Sequence, residues 1–280
     1  MSSINGDNIL YHYIQKHLQN EPDLAALLIK KMVLDLSIWL PQTLYQEIPI
    51  ILPYVVRDPT CRKRSDDQEE EWGSANEFGF FRDDNSLIKG IPRSFLIQSK
   101  KIKQYKNKKL GTGFTSCHIW RKINYKGINI LSNRHYIFNS FIPNIVWLPR
   151  QIAKLTDRDD SIAQKLLQAI SFKIYSDVEM AEEMQNVWRY LPCPREYKDL
   201  EFNKDDMNFF KINDNWIKRR KIQLKKEIEQ IMAIGEYYDS SMKKVKCRRY
   251  LPTLCEIPIK NRSKLFSHLH NYKRIINSEN

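Results

Sequence analysis

Between residues 88 and 156 the chain holds fourteen Lys or Arg and neither Asp nor Glu, over 69 consecutive positions. At the chain's average acid content roughly eight carboxylates would fall there. No cation in this stretch can be neutralised by its own segment. Folding has to set these side chains against acids from elsewhere, or leave them facing an external polyanion.

The excess is also global, with a formal net charge of +13 over 280 residues. Such self-repulsion is relieved when a polyanion shares the charge, and nucleic acid is the commonest such partner. Aromatic residues interleave with the basic ones (Tyr105, Phe114, Trp120, Tyr125, Tyr136, Phe138, Phe141, Trp147), as stacking on bases would require and as a core would also require. An apolar content of 42% supplies a sizeable core. No apolar run reaches the ~18 residues of a membrane span, and MSSINGDN lacks the basic-then-apolar order of a secretory signal. The expectation is a cytoplasmic protein without a membrane partner. Five cysteines, an odd number without a CxxC pair, argue against a disulfide framework and a four-Cys zinc site. They are expected as free thiols, mostly buried.

Helical spacing over residues 9–40 predicts two helices, the second starting near Pro22 and Asp23 and stopped by Pro41. Residues 58–76 read as a polar surface loop, and 77–97 as short strands and turns. Six lysines mark 99–109 as a basic flap. Residues 114–120 and 128–131 predict two strands of one hairpin, turned at 121–127. A loop with Asn133, Arg134 and His135 then leads to Asn144, and Pro149 opens a helix to about Leu155. Asp159 or Asp160 is expected to cap a helix over 162–175. LPCP at 191–194 marks a turn and a boundary, and 205–234 reads as one long charged helix. The fold class is α+β in two regions. Residues 1–190 combine N-terminal helices with a core at about 77–176, and 191–280 form a basic helical region.

The acid-free stretch contains GFTSCHIWRK and, about two dozen residues on, PNIVWLPRQIAKLTD. A His on the first strand of a hairpin can take a proton from water, and an Asn at the start of the following helix can hold that His or a metal. A divalent ion would steady a leaving oxygen while Arg and Lys hold the phosphate. That combination hydrolyses a phosphodiester. His118 is the candidate base and His135 a second. Lys89, Lys106, Lys108, Arg121, Lys122, Arg134 and Arg150 are candidate phosphate contacts, with Lys243, Lys244, Arg248 and Arg249 behind the long helix. Asp83 and Asp84, in FRDDNSLIK, and Asp157, in LTDRDD, are the candidate metal carboxylates.

These strings resemble the HNH, or ββα-metal, nucleases over about residues 110–160. His118, in CHIW, stands where that family has its general base, and Asn144, in PNIVWLPR, where it has the Asn of its name. Some restriction-type members look similar around this second string. The resemblance implies a ββα-metal-like hairpin-and-helix core flanked by N-terminal and C-terminal helices. It also implies metal-dependent hydrolysis of DNA, as in restriction or phage defence, with Asn144 joined by Asp157, Asp83 or Asp84 around the ion. Mg²⁺ is the first expectation, with Mn²⁺, Ni²⁺ or Zn²⁺ as alternatives, and a homodimer is compatible. Cys117 stands where the family has an Asp ligand, and Ala153 where it has its last His. A soft thiolate is a poor Mg²⁺ ligand. The alternative is therefore a non-catalytic HNH-derived binder of DNA or RNA.

Overall fold

The computed structural model describes residues 22–57, 80–83, 86–156, 159–236 and 259–277. The helix expected before Pro22, the polar loop at 58–76 and the basic cluster at 243–249 lie outside them. In chain order the elements are α1 (Pro22–Leu36), β1 (Ile38–Trp39), α2 (Gln42–Glu47), β2 (Val55–Arg57), β3 (Phe81–Asp83), α3 (Ser86–Gly90), β4 (Leu96–Gln98), β5 (Phe114–His118), β6 (Lys122–Tyr125) and β7 (Ile128–Leu131). There follow β8 (Ile145–Pro149), α4 (Arg150–Ala153), α5 (Ile162–Tyr175), α6 (Glu182–Gln185), β9 (Asn208–Lys211), α7 (Asp214–Glu236) and α8 (Ile259–Ile275). The chain is α+β.

Five strands form the central sheet in the order β4-β9-β1-β8-β5. β8 runs antiparallel to β1, with Ile38 opposite Trp147, and to β5, with His118 opposite Ile145. β9 lies parallel to β1 and antiparallel to β4. Two small ribbons stand apart, β2 with β3 and β6 with β7.

This topology corrects three expectations. The partner of β5 is β8, and the turn near Gly127 closes a separate ribbon of β6 and β7. Asn144 heads a strand, not a helix. Ile145, Val146, Trp147 and Leu148 are all fully buried. A strand covered on both faces reads as an unbroken apolar run without the alternation that announces one-sided strands.

The long helix expected over 205–234 is broken at its start, where β9 takes Asn208–Lys211 before α7 begins at Asp214. Phe210 is 1% exposed and meets Trp147 edge-on at 5.2 Å. Burying such a ring contributes roughly 2 kcal/mol, against a few tenths per residue of helix preference, so packing wins. β9 also lies inside the sheet, between β4 and β1, so the boundary expected at 190/191 runs through one sheet.

Other expectations match. α5 spans the expected range, though Ser161 caps it: its hydroxyl accepts from the Gln164 N–H at 3.2 Å, and Gln164 Oε1 accepts from the Asp160 N–H at 2.8 Å, a reciprocal cap. α5 buries Leu166, Leu167, Ile170 and Ile174 and packs against α1 and α2. The Tyr175 hydroxyl donates to the Leu40 carbonyl at 2.5 Å. α8 packs on α7, and the Tyr272 hydroxyl both donates to the Ile50 carbonyl and accepts from its N–H. No described helix is long and apolar enough to cross a membrane.

Candidate functional site

β5 ends at His118, and three sets of bonds fix the turn that follows. The Ile119 N–H donates to the Asn144 carbonyl at 3.0 Å. The Trp120 N–H donates to Asn144 Oδ1 at 2.8 Å. The Ile119 carbonyl accepts from the side-chain amides of Gln164 and Gln168 on α5, at 3.2 and 3.4 Å. His118 is thereby held by its strand, by the residue before β8 and by a helix.

The His118 ring is 8% exposed, with Nε2 2.8 Å from the Asn139 carbonyl. A carbonyl only accepts, so the neutral imidazole carries its hydrogen on Nε2 and keeps a lone pair on Nδ1. Burial holds its pKa down, to about 4. The Asn139 carbonyl opposes that shift, and the charges of Arg57 and Arg121 add to it. Near neutral pH the ring is an uncharged base.

His118 lines a cavity of about 490 Å³ whose wall carries six cationic side chains, Arg57, Lys89, Arg93, Arg121, Arg150 and Lys154. No carboxylate is among its described lining residues. β2, α3 and the turn after it, the turn after β5, and α4 with its continuation each supply one or two of these cations. Elsewhere three lysines of the basic stretch are paired with acids from outside it. Lys100 pairs with Asp205, Lys101 with Asp206 and Asp35, and Lys122 with Asp159. The cations around His118 share one concave surface, whose charge would attract an anion.

The other expected residues are distributed differently. Asn144 is fully buried: besides accepting from Trp120, its amide donates to the Ser132 hydroxyl (3.2 Å) and the Phe138 carbonyl (3.0 Å). It clamps the loop between β5 and β8, and its carboxamide does not line the cavity. His135 is not in the cavity either; its ring lies 4.4 Å from Tyr136 and 4.5 Å from Tyr125. Burial first, then the neighbouring His268, Lys264 and Lys126, lower its pKa to about 3. Lys106, Lys108, Lys122 and Arg134 are exposed and outside the lining.

Asp84, Asp157, Lys243, Lys244, Arg248 and Arg249 lie outside the described residues. The backbone of Asp83 stands in register with Arg57, beside the cavity. Among the described residues no group of three or more His, Cys, Asp or Glu could hold a metal ion. The described lining by itself supplies no carboxylate for the expected ion.

Arg57, Arg93, Lys154, Ser116 and Asn133 were not singled out from the sequence. Arg93 and Lys154 belong to the acid-free stretch, and that stretch was the available signal. Arg57 arrives from β2, and no local pattern announces it. Cys117 and Cys193 are half-buried, less than expected of them. No model of a known protein family, no curated protein and no solved structure matches the chain.

Proposed function

We propose that the chain binds DNA through the six-cation cavity and hydrolyses its phosphodiester bonds, with His118 as general base. The observation that carries this reading is a neutral, buried imidazole, its Nε2 committed to the Asn139 carbonyl, on the wall of a cavity lined by six cationic side chains. A backbone phosphate in the cavity is held by guanidinium and ammonium groups. Nδ1 of His118 takes the proton of an attacking water, the new P–O bond forms, and the P–O bond to the sugar breaks, its electron pair leaving on the sugar oxygen, which takes a proton from solvent. Arg57, Arg121 and Arg150 hold the charge that gathers on the phosphoryl oxygens.

The order of a strand ending in His118, an antiparallel strand starting after Asn144 and helices after Pro149 supports an HNH-like, ββα-metal-like core. A metal requirement would rest on Asp83, Asp84 or Asp157.

The test is cleavage of supercoiled plasmid by wild type and His118→Ala, with Mg²⁺, Mn²⁺, Ni²⁺, Zn²⁺ and chelator as separate arms, beside duplex binding by both proteins. Cleavage lost in the variant with binding kept is the expected result. Equal cleavage by both proteins rejects the mechanism. A second reading, DNA binding without hydrolysis, is favoured by the commitment of Asn144 to the loop. Binding with no cleavage in any arm selects it.

A further inference from the structure

The ribbon of β6 and β7 grows from the cavity wall. Its ladder continues at the base through the Ser132 N–H, which donates to the Arg121 carbonyl at 2.8 Å, and Arg121 and Ser132 both line the cavity. Asn124 pairs with Asn129 and Tyr125 with Ile128. Alternation gives the two faces different lives. Ile123, 4% exposed, and Tyr125 anchor the inner face, with the Tyr125 ring 4.5 Å from His135 and 4.7 Å from Tyr190. The outer face exposes Lys122, Asn124, Asn129 and Leu131. At the tip Lys126 and Gly127 both take positive φ, 52° and 84°, the two-residue turn that matches strand twist, and Ile128 is 67% exposed.

We infer that this ribbon enters the major groove of duplex DNA beside the phosphate held in the cavity, and that Asn124 and Asn129 read base edges there. The inference rests on the DNA-binding reading above and adds where and how sequence is read. Three observations carry it. The ribbon itself carries no carboxylate, and Asp159 beside its base is paired with Lys122. From Leu131 at the cavity to Ile128 at the tip it reaches about 10 Å, comparable with the depth of a major groove that admits a two-stranded ribbon. The two Asn amides are exposed and already oriented, since Asn124 Nδ2 donates to Asn129 Oδ1 at 3.3 Å and Asn124 Oδ1 accepts from the Gly127 N–H at 3.0 Å. Amides offer the donor and acceptor pair that adenine matches in this groove. The A-form groove of duplex RNA is too narrow for such a ribbon.

The test uses the full chain. Duplexes are selected by wild type from a random pool, then displaced with methyl green, a major-groove ligand, or netropsin, a minor-groove ligand. They are also bound to N124S/N129A, in which the serine hydroxyl can still accept from Gly127, with the melting temperature as a check on folding. Methyl green should displace the protein and netropsin should not. The variant should lose about tenfold in its preference for selected over random duplexes while keeping its affinity for random DNA within about twofold. Displacement by netropsin alone, or an unchanged preference in the variant, overturns the ribbon's role and leaves DNA binding standing. Failure to bind any duplex overturns both.

Discussion

The carboxamide of Asn144 reaches back across the sheet to the backbone of Trp120, two residues past His118, and accepts its N–H at 2.8 Å. The same amide holds the Phe138 carbonyl and the Ser132 hydroxyl. Asn144→Ala would leave a buried N–H and a buried carbonyl without partners, at a cost of about 2–4 kcal/mol. The urea midpoint should fall accordingly, and cleavage should fall with it because the turn that positions His118 loosens. A variant with unchanged stability would show that the clamp contributes nothing.

That bond also explains how far the site could be read from the residues alone. His118 and Asn144 were singled out together as chemical partners; in the fold they are neighbours, but the Asn works on the backbone around the His. Residue type and spacing report that two groups meet, not which atoms do. The helix α5 was legible because its apolar positions repeat at three and four. β8 and β9 were not, since Ile145–Leu148 have no alternation and β9 is four residues between charged neighbours. The acid-free stretch pointed to the cavity because charge segregation survives any fold. Arg57 had to wait for the topology that brings β2 beside it.

His118→Ala should lower the cleavage rate by about 10²–10⁴-fold, the usual worth of a positioned base. The pH profile distinguishes this base from an ordinary surface His. With the pKa held near 4 by burial, the working neutral form is complete well below neutrality, so the wild-type rate should stay level between about pH 6 and 8. An acid limb centred near 6.5 in single-turnover cleavage would contradict a buried, neutral His118.

Salt reads the cavity directly. Each phosphate neutralised in duplex DNA contributes about −0.9 to the slope of log affinity against log salt. Arg121→Ala and Arg150→Ala should each make that slope shallower by about 0.9 and weaken binding alike for all sequences. Lys100→Ala, whose partner is Asp205, should leave the slope unchanged. Equal effects of all three would mean that the cavity is not where the phosphates lie.

Three histidines also tie stability to pH. Burial comes first among the causes that lower the pKa values of His118 and His268 to about 4 and of His135 to about 3. Each lies below the unfolded value of about 6.5, so the unfolded chain takes up protons first as the pH falls. The contribution is therefore complete above about 6.5 and is lost as the pH drops toward 4. For His118 alone it reaches about 3 kcal/mol. Urea midpoints taken between about pH 7 and 5, above most carboxylate titration, should fall steadily. His268→Gln should flatten that fall, since it removes one of the three titrations that produce it. A midpoint independent of pH over this range would show these rings to be solvated.

The last prediction concerns the pair that fastens α7 to the body. Arg220, 3% exposed, donates from Nη1 to Glu227 Oε2 at 3.1 Å and from Nη2 to the Ile51 carbonyl at 3.0 Å. Glu227 also accepts from the Tyr54 hydroxyl at 2.7 Å and from Gln223 at 2.9 Å. Arg220→Met strands a carboxylate in the interior and should cost about 3–5 kcal/mol. Arg220→Met with Glu227→Leu removes both charges, and the desolvation each one suffers is then recovered. The double variant should accordingly be more stable than Arg220→Met, although Tyr54 and Gln223 each lose an acceptor. If urea denaturation finds the double variant no better than the single one, the pair's value lies in its hydrogen bonds to Ile51 and Tyr54 and not in the balance of its charges.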